Sequence, residues 1–326
     1  RDLRMSRGLG DVYKRQPYNA VIIAHERMSA FAYIAVAECL LKLGVAVVIV
    51  FCGGDKLIIY GALLLTVAFI VRAIYSLYCR KNFEECHYKF YWDKVLFREM
   101  GAFAGWNMYG NFAFVMTTQG VNMLLNMFFG PAVNASRAIA VQIQSAIMGF
   151  ATNFTMAINP QIVQNYAQGK KEEIFRLVCY SSKFSFFLLL LLALPVLLET
   201  ELLLKLWLKQ VPDYSVVFVR LVLIQMLIRI LQNPLHTLMH ATGRLRKYQL
   251  MDGTLLLLNI PVSYWLLKDG GDATVVLIVS IIFTFMALVA LLYVVWSATG
   301  FSVYVFWQKV IWRVLMVSIL LGLMIY

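Results

Sequence analysis

The sequence predicts an all-α, polytopic membrane protein, and three observations carry that prediction. Of its 326 residues 61% are apolar and only 14% charged, with a mean hydropathy of +0.75; a soluble domain carries about 25% charged residues. Nine runs supply the roughly twenty mostly apolar residues that a helix needs to cross a hydrocarbon core. The loops between them segregate Lys and Arg to one side, as the positive-inside rule requires. The alternation with a period of two that marks a transmembrane barrel is absent.

Residues 1–16 read as foreign to the rest. The segment is polar and has no apolar core, so it is no signal peptide. Its run SRGLGDVYKRQ, Ser6 to Gln16, resembles a translated transposase sequencing adapter, and Arg1 and Asp2 fit the adjoining one. We therefore set residues 1–16 aside as an adapter artefact. The segment holds five bases and two acids, so without it the formal net charge of +12 falls by three to +9. Gly8-Leu9-Gly10 is no nucleotide loop, since neither strand nor helix flanks it. The remainder starts at Pro17 without a natural start and stops at Tyr326 inside an apolar run, which reads as a fragment cut at both ends.

Pro17 to Ala24 reads as the end of an earlier span. Spans are then expected near 28–52, 57–79, 103–129, 133–158, 180–204, 213–238, 248–267, 273–297 and 306–326. On one side fall Arg27, the cluster from Arg80 to Arg98, the cluster from Lys170 to Lys183, Arg244, Arg246, Lys247, Lys309 and Arg313, fifteen cations in all; the other side has only Lys56, Lys205, Lys209 and Lys268. A wrong number of spans would scramble this alternation, so most of the basic charge is a topological address and no nucleic-acid partner is expected. Between the second and third spans, aromatic residues interleave with charges (Phe83, Tyr88, Phe90, Tyr91 and Trp92 against Glu84, Glu85, Lys89, Asp93 and Lys94). This suits an interfacial linker with its rings at headgroup level.

Polar groups inside spans are costly and need either a partner or a water-filled cavity. In the third span Asn107, Asn111, Gln119, Asn122 and Asn126 fall within about 120° of one helix face. The fourth carries Arg137 and Gln144 seven residues apart on one face, together with Gln142. The sixth has Gln225, Arg229, Gln232 and His236 at spacings of 4, 3 and 4. A single amide is most simply interhelical packing glue, whereas three stripes together favour a polar cavity. Amides suit hydroxyl-rich ligands and a guanidinium forks onto phosphate oxygens. Arg229 is the deepest of the charges. Glu38 and Lys42, at i, i+4, read as a neutralised local pair, and Arg72 as a snorkelling side chain. Pro195, Pro234 and Pro261 lie inside or at the ends of spans and are expected to kink them or free carbonyls.

No catalytic constellation and no P-loop is present, so an enzyme is not expected. The five cysteines form neither a disulfide framework nor a metal spacing. His236 and His240 have the i, i+4 spacing of a metal pair, but HTLMH lacks the glutamate of HExxH and a third ligand. Neither metal nor cofactor is expected.

Several runs, PYNAVIIAHERMSAFAYIAVAECLLKLG, FAGWNMYG, QGVNMLLNMFFGPAVNASRAIAVQIQSA, INPQIVQNYAQG and ATGRLRKYQ among them, resemble polysaccharide biosynthesis flippases of the multidrug/oligosaccharidyl-lipid/polysaccharide exporter superfamily, the O-antigen and lipid-linked oligosaccharide flippases of Bacteroides-like bacteria. The resemblance covers nearly all of residues 17–300. It implies two helical bundles around a central cavity, with 17–82 the remainder of an incomplete first bundle, 83–102 the link, 103–298 the second six-helix bundle and 299–326 a truncated extra helix. It further implies a multi-pass protein of the bacterial cytoplasmic membrane, a monomeric transport unit, that flips undecaprenyl-diphosphate-linked oligosaccharide by alternating access for surface polysaccharide and lipopolysaccharide synthesis. Arg137 matches the arginine of the family's NAxR run and would hold the pyrophosphate with Arg229; Asn107, Asn111, Gln119, Asn122, Asn126, Gln142, Gln144 and Gln225 would meet the sugars. H⁺, Na⁺ or the membrane potential would drive it. The alternatives are a cation-coupled multidrug antiporter of the same superfamily, which would favour an acidic cavity, and a membrane glycosyltransferase or polymerase, which would need catalytic acids or a large outer loop.

Overall fold

The computed structural model describes residues 18, 21–22, 25, 27–51, 56–83, 86, 93–208 and 210–325; the segment 1–16, Lys209, and most of 84–92 lie outside them. The described residues are helical with short connections and contain no strand. In chain order the helices are α1 (Met28–Phe51), α2 (Lys56–Asn82), α3 (Lys94–Phe129), α4 (Pro131–Ala167), α5 (Lys171–Leu198), α6 (Thr200–Trp207), α7 (Ser215–Ile230), α8 (Asn233–Thr242), α9 (Leu245–Lys268), α10 (Thr274–Thr299) and α11 (Val303–Phe306), then a π-helical segment Trp307–Ile311 and α12 (Trp312–Ile325). Tyr18, Val21 and Ile22 are also helical.

Among the described residues each of the nine expected spans falls mainly on helix. Among the described residues eight helical stretches are long and apolar enough to cross a membrane. The fourth expected span falls on α4, whose 37 residues are ample in length but too polar to join those eight.

Helix ends depart from span ends for local reasons. α3 begins at Lys94, where the Asp93 carboxylate accepts from the Val95 amide at 2.8 Å, so residues 94–102 of the expected linker are helical. With 36 residues, α3 is about 54 Å long, well beyond a hydrocarbon core of about 30 Å. α4 likewise runs past 158 to Ala167, stopped only by Gly169 at φ 72°, a left-handed position that glycine takes without a Cβ penalty. The fifth span breaks at Glu199, just after Pro195. The sixth is split at Leu231–Gln232, and Pro234 opens its second half at a first-turn position where its missing N–H costs nothing. Pro261 stays inside α9 without ending it.

The chain divides into two compact units, residues 1–92 and 93–326. In the first, α1 and α2 pack through Ile34, Val45, Val67, Val71, Tyr75 and Cys79. Glu38 and Lys42 form the expected pair at 2.8 Å. In the second, α5, α7, α8 and α10 share a core built from residues such as Phe186, Leu189, Phe218, Met226, Leu235 and Val295. α9 lies along α3 and α10. Lipid tails offer no hydrophobic drive between helices, so close packing of small residues must do that work. At the α3–α9 seam Gly110 faces the Gln249 side chain; a Cβ on Gly120 would come within 2.7 Å of Ile260, and one on Gly253 within 2.6 Å of the Tyr109 ring.

Candidate functional site

A cavity of about 460 Å³ lies inside the second unit, walled by α3, α4, α7, α9 and α10. α4 is the polar wall. Its surplus of Asn, Gln, Ser and Thr puts Arg137, Gln144, Ser145 and Thr152 on the lining, at spacings that return to one helix face.

Arg137 is 9% exposed. Its Nη1 donates to the Thr118 carbonyl at 3.2 Å and to the Asn122 side-chain oxygen. Its Nε is buried with no partner among the described residues. Two anchors therefore fix the guanidinium while one donor stays free, and an unmet charged donor at depth is costly unless something is there to accept from it.

Arg229 enters from α7, its guanidinium 4.6 Å from the centre of the Phe114 ring, a cation–π contact strengthened by exclusion of water. Asp252 on α9 interacts electrostatically with it without coming within ion-pair distance. Beyond the break, on α8, the His236 Nδ1 is engaged by the Tyr248 hydroxyl, and the His240 ring packs against Tyr248 and Phe103. Among the described residues no three His, Cys, Asp or Glu side chains cluster as metal ligands.

Of the ten residues singled out in the sequence, Arg137, Gln144, Gln225 and Arg229 line this one cavity. Asn122 stands just outside it and holds Arg137. Gln119 accepts from Asn122 at 3.3 Å, and Asn107 accepts from Gln249 at 3.4 Å while donating to the Phe103 carbonyl. Asn111, Gln119, Asn126 and Gln142 are exposed and do not line the cavity. Some lining amides are also glue. Gln225 donates to the Thr284 hydroxyl at 3.0 Å and to the Ser280 carbonyl at 3.4 Å.

Sequence reasoning passed over the far wall. Asn259 donates to the Ser280 hydroxyl at 2.9 Å and accepts from Ser263 at 3.0 Å; Thr117 donates to the Leu256 carbonyl at 2.8 Å. The signal was available as the i, i+4 pairs Asn259/Ser263 and Ser280/Thr284 within apolar spans. Asp252 was missed as well, an acid inside a span that interacts electrostatically with Arg229.

Eight helical stretches among the described residues, long and apolar enough to cross a membrane, together with an amide- and hydroxyl-lined cavity, define an all-α polytopic membrane protein. The MatE family model matches residues 108–265, a stretch running from within α3 to near the end of α9 and holding Arg137, Gln144, Gln225, Arg229 and Asp252. The match supports a membrane transporter rather than an enzyme. No curated protein and no solved structure matches the chain.

Proposed function

We propose that the protein flips a lipid-linked oligosaccharide, an undecaprenyl-diphosphate-bound repeat unit, across the bacterial inner membrane by alternating access. The observation that carries this reading is Arg137: a guanidinium buried at the cavity wall, fixed by Thr118 and Asn122, with Nε unpartnered. Guanidinium planes match phosphate oxygens bidentately, and Arg229 brings a second cation to the same cavity. Gln144, Ser145 and Thr152 present the donors and acceptors that sugar hydroxyls need. Transport then requires only that the site face one side and later the other, the diphosphate remaining among the arginines.

One observation favours a second reading. Asp252 brings an acid to the edge of the arginine cluster, the chemistry a cation-coupled multidrug antiporter would use. A paired experiment separates the two in the full-length protein. Under the flippase reading, Arg137→Ala lowers surface polysaccharide at least tenfold while Asp252→Asn leaves drug susceptibility unchanged. Undiminished polysaccharide with Arg137→Ala, together with drug sensitisation by Asp252→Asn, would transfer the assignment to the antiporter.

A further inference from the structure

A second cavity, of about 630 Å³, opens on the basic side of the same unit, between the start of α5 and the π-helical segment with α12. Arg176, Lys183, Lys309 and Arg313 line it together with Phe175, Tyr180, Glu172 and Glu173, four cations against two carboxylates. On α5 the cations and Tyr180 recur at i, i+4 and i+7, one face of a helix. On the opposing segment Lys309 and Arg313 are four apart. The wider turn of the π-helix at Trp307–Ile311 keeps such residues nearly above one another, and π turns recur at functional sites. Cys179 lines the same cavity, where Lys183 and Lys309 both act on it electrostatically. Two helices thus aim their cations at one space.

None of the four makes an ion pair among the described residues. Lys183 sits 5.0 and 5.2 Å from the Tyr180 and Phe184 ring centres, with no carboxylate. Of the two carboxylates on the lining, both on the first turn of α5, Glu173 faces Lys170 at 3.9 Å with both side chains half-exposed, and among the described residues neither pairs with any of the four cations. The positive-inside rule accounts for cations on this side of the membrane; it does not account for four unpaired ones converging on a walled cavity.

We propose that this cavity binds the phosphate of an anionic phospholipid from the leaflet on the basic side. Phosphate is the shared chemistry of a lipid headgroup and a free anion. The lipid is favoured because α5 and α12 both run on from the cavity as apolar spans, so that a phosphate held here has its acyl chains laid along them. Basic pockets between transmembrane helices on this side are suited to such headgroups. The site lies apart from the Arg137 cavity and does not depend on what that cavity carries.

The test is native mass spectrometry of the full-length protein extracted from vesicles of equal phosphatidylglycerol and phosphatidylcholine content. The wild-type protein is expected to retain phosphatidylglycerol preferentially. Lys309→Gln with Arg313→Gln should cut retention about tenfold or more, given the attraction typical of each basic residue at a membrane surface, while Lys309→Arg keeps it. Arg244→Gln with Lys247→Gln removes the same charge from another turn on that side and should change nothing. Equal loss in that control would mean diffuse surface attraction and overturn the proposal. Absence of preference in the wild-type protein would overturn it without reference to any variant. Displacement of the lipid by millimolar inorganic phosphate would assign the site to a free anion instead.

Discussion

At the residue scale the arrangement turns on Asn122. Its side-chain oxygen holds Arg137, and its amide donates to Gln119. Removing it leaves a buried guanidinium with one fewer acceptor, a loss of about 1–3 kcal/mol for an unsatisfied buried donor. Asn122→Ala is expected to lower thermal stability in detergent by that order, and Asn122→Asp, which restores an acceptor, to recover it; a stable Asn122→Ala protein would mean that water or ligand already satisfies Arg137. Stripe periodicity made Arg137, Gln144, Gln225 and Arg229 legible, because 3.6-residue spacing states which faces of a helix are polar. It does not state what each face meets. Asn111 and Asn126 share a stripe with Asn122, yet only Asn122 reaches Arg137, since rotation about the helix axis is set by neighbours distant in sequence. Asp252 escaped notice because it sits near Arg246 and Lys247, where an acid reads as part of a charged turn.

At the element scale the α3–α9 seam decides how the cavity is walled, since these helices bring Thr117, Thr118 and Asn259 to it. Gly253 lets α9 approach the Tyr109 ring, and an aromatic ring cannot yield as a flexible chain end can. Gly253→Val should therefore cost about 1–3 kcal/mol, as overpacking does. Tyr109→Ala combined with it should recover part of that loss, measurable as a double-mutant coupling. Span positions were legible from apolar content, which follows the requirement to fill about 30 Å of hydrocarbon. Helix ends were less so. Nothing in the membrane requirement stops a helix at the boundary, so α3 and α4 continue until a local terminator intervenes.

At the scale of the whole molecule, the side with few cations is held by a turn-to-turn contact. Tyr214, ahead of α7, donates to the Asp272 carboxylate at 2.8 Å, and Asp272 also accepts from the Thr274 hydroxyl at 2.9 Å at the start of α10. Partial burial opposes the charged form of Asp272, but these hydrogen bonds outweigh it and hold the carboxyl below its ordinary value. A depressed carboxyl contributes stability that is complete above the unfolded value, about 4, and that is lost as pH falls through the folded one. Thermal stability measured from pH 6 downward should therefore fall on acidification below about pH 4, and Asp272→Asn should remove that component and leave a flatter profile; identical profiles would show that this contact carries no linkage.

The split of the sixth span has a mechanical meaning. At Leu231–Gln232 the helical ladder is interrupted, but the break is tethered: Ser182 on α5 donates to the Leu231 carbonyl at 3.2 Å, and Gln232 donates to the Thr284 carbonyl on α10 at 2.8 Å. A continuous helix transmits bending and twist along its whole length; an interrupted one held at the interruption works as two arms about a fulcrum. The arm carrying Gln225 and Arg229 belongs to the cavity, and the arm carrying His236 and His240 packs on Tyr248 near the basic side. The two arms thus meet different surroundings, Arg229 the cavity and His236 and His240 the Tyr248 ring, on either side of one tethered break.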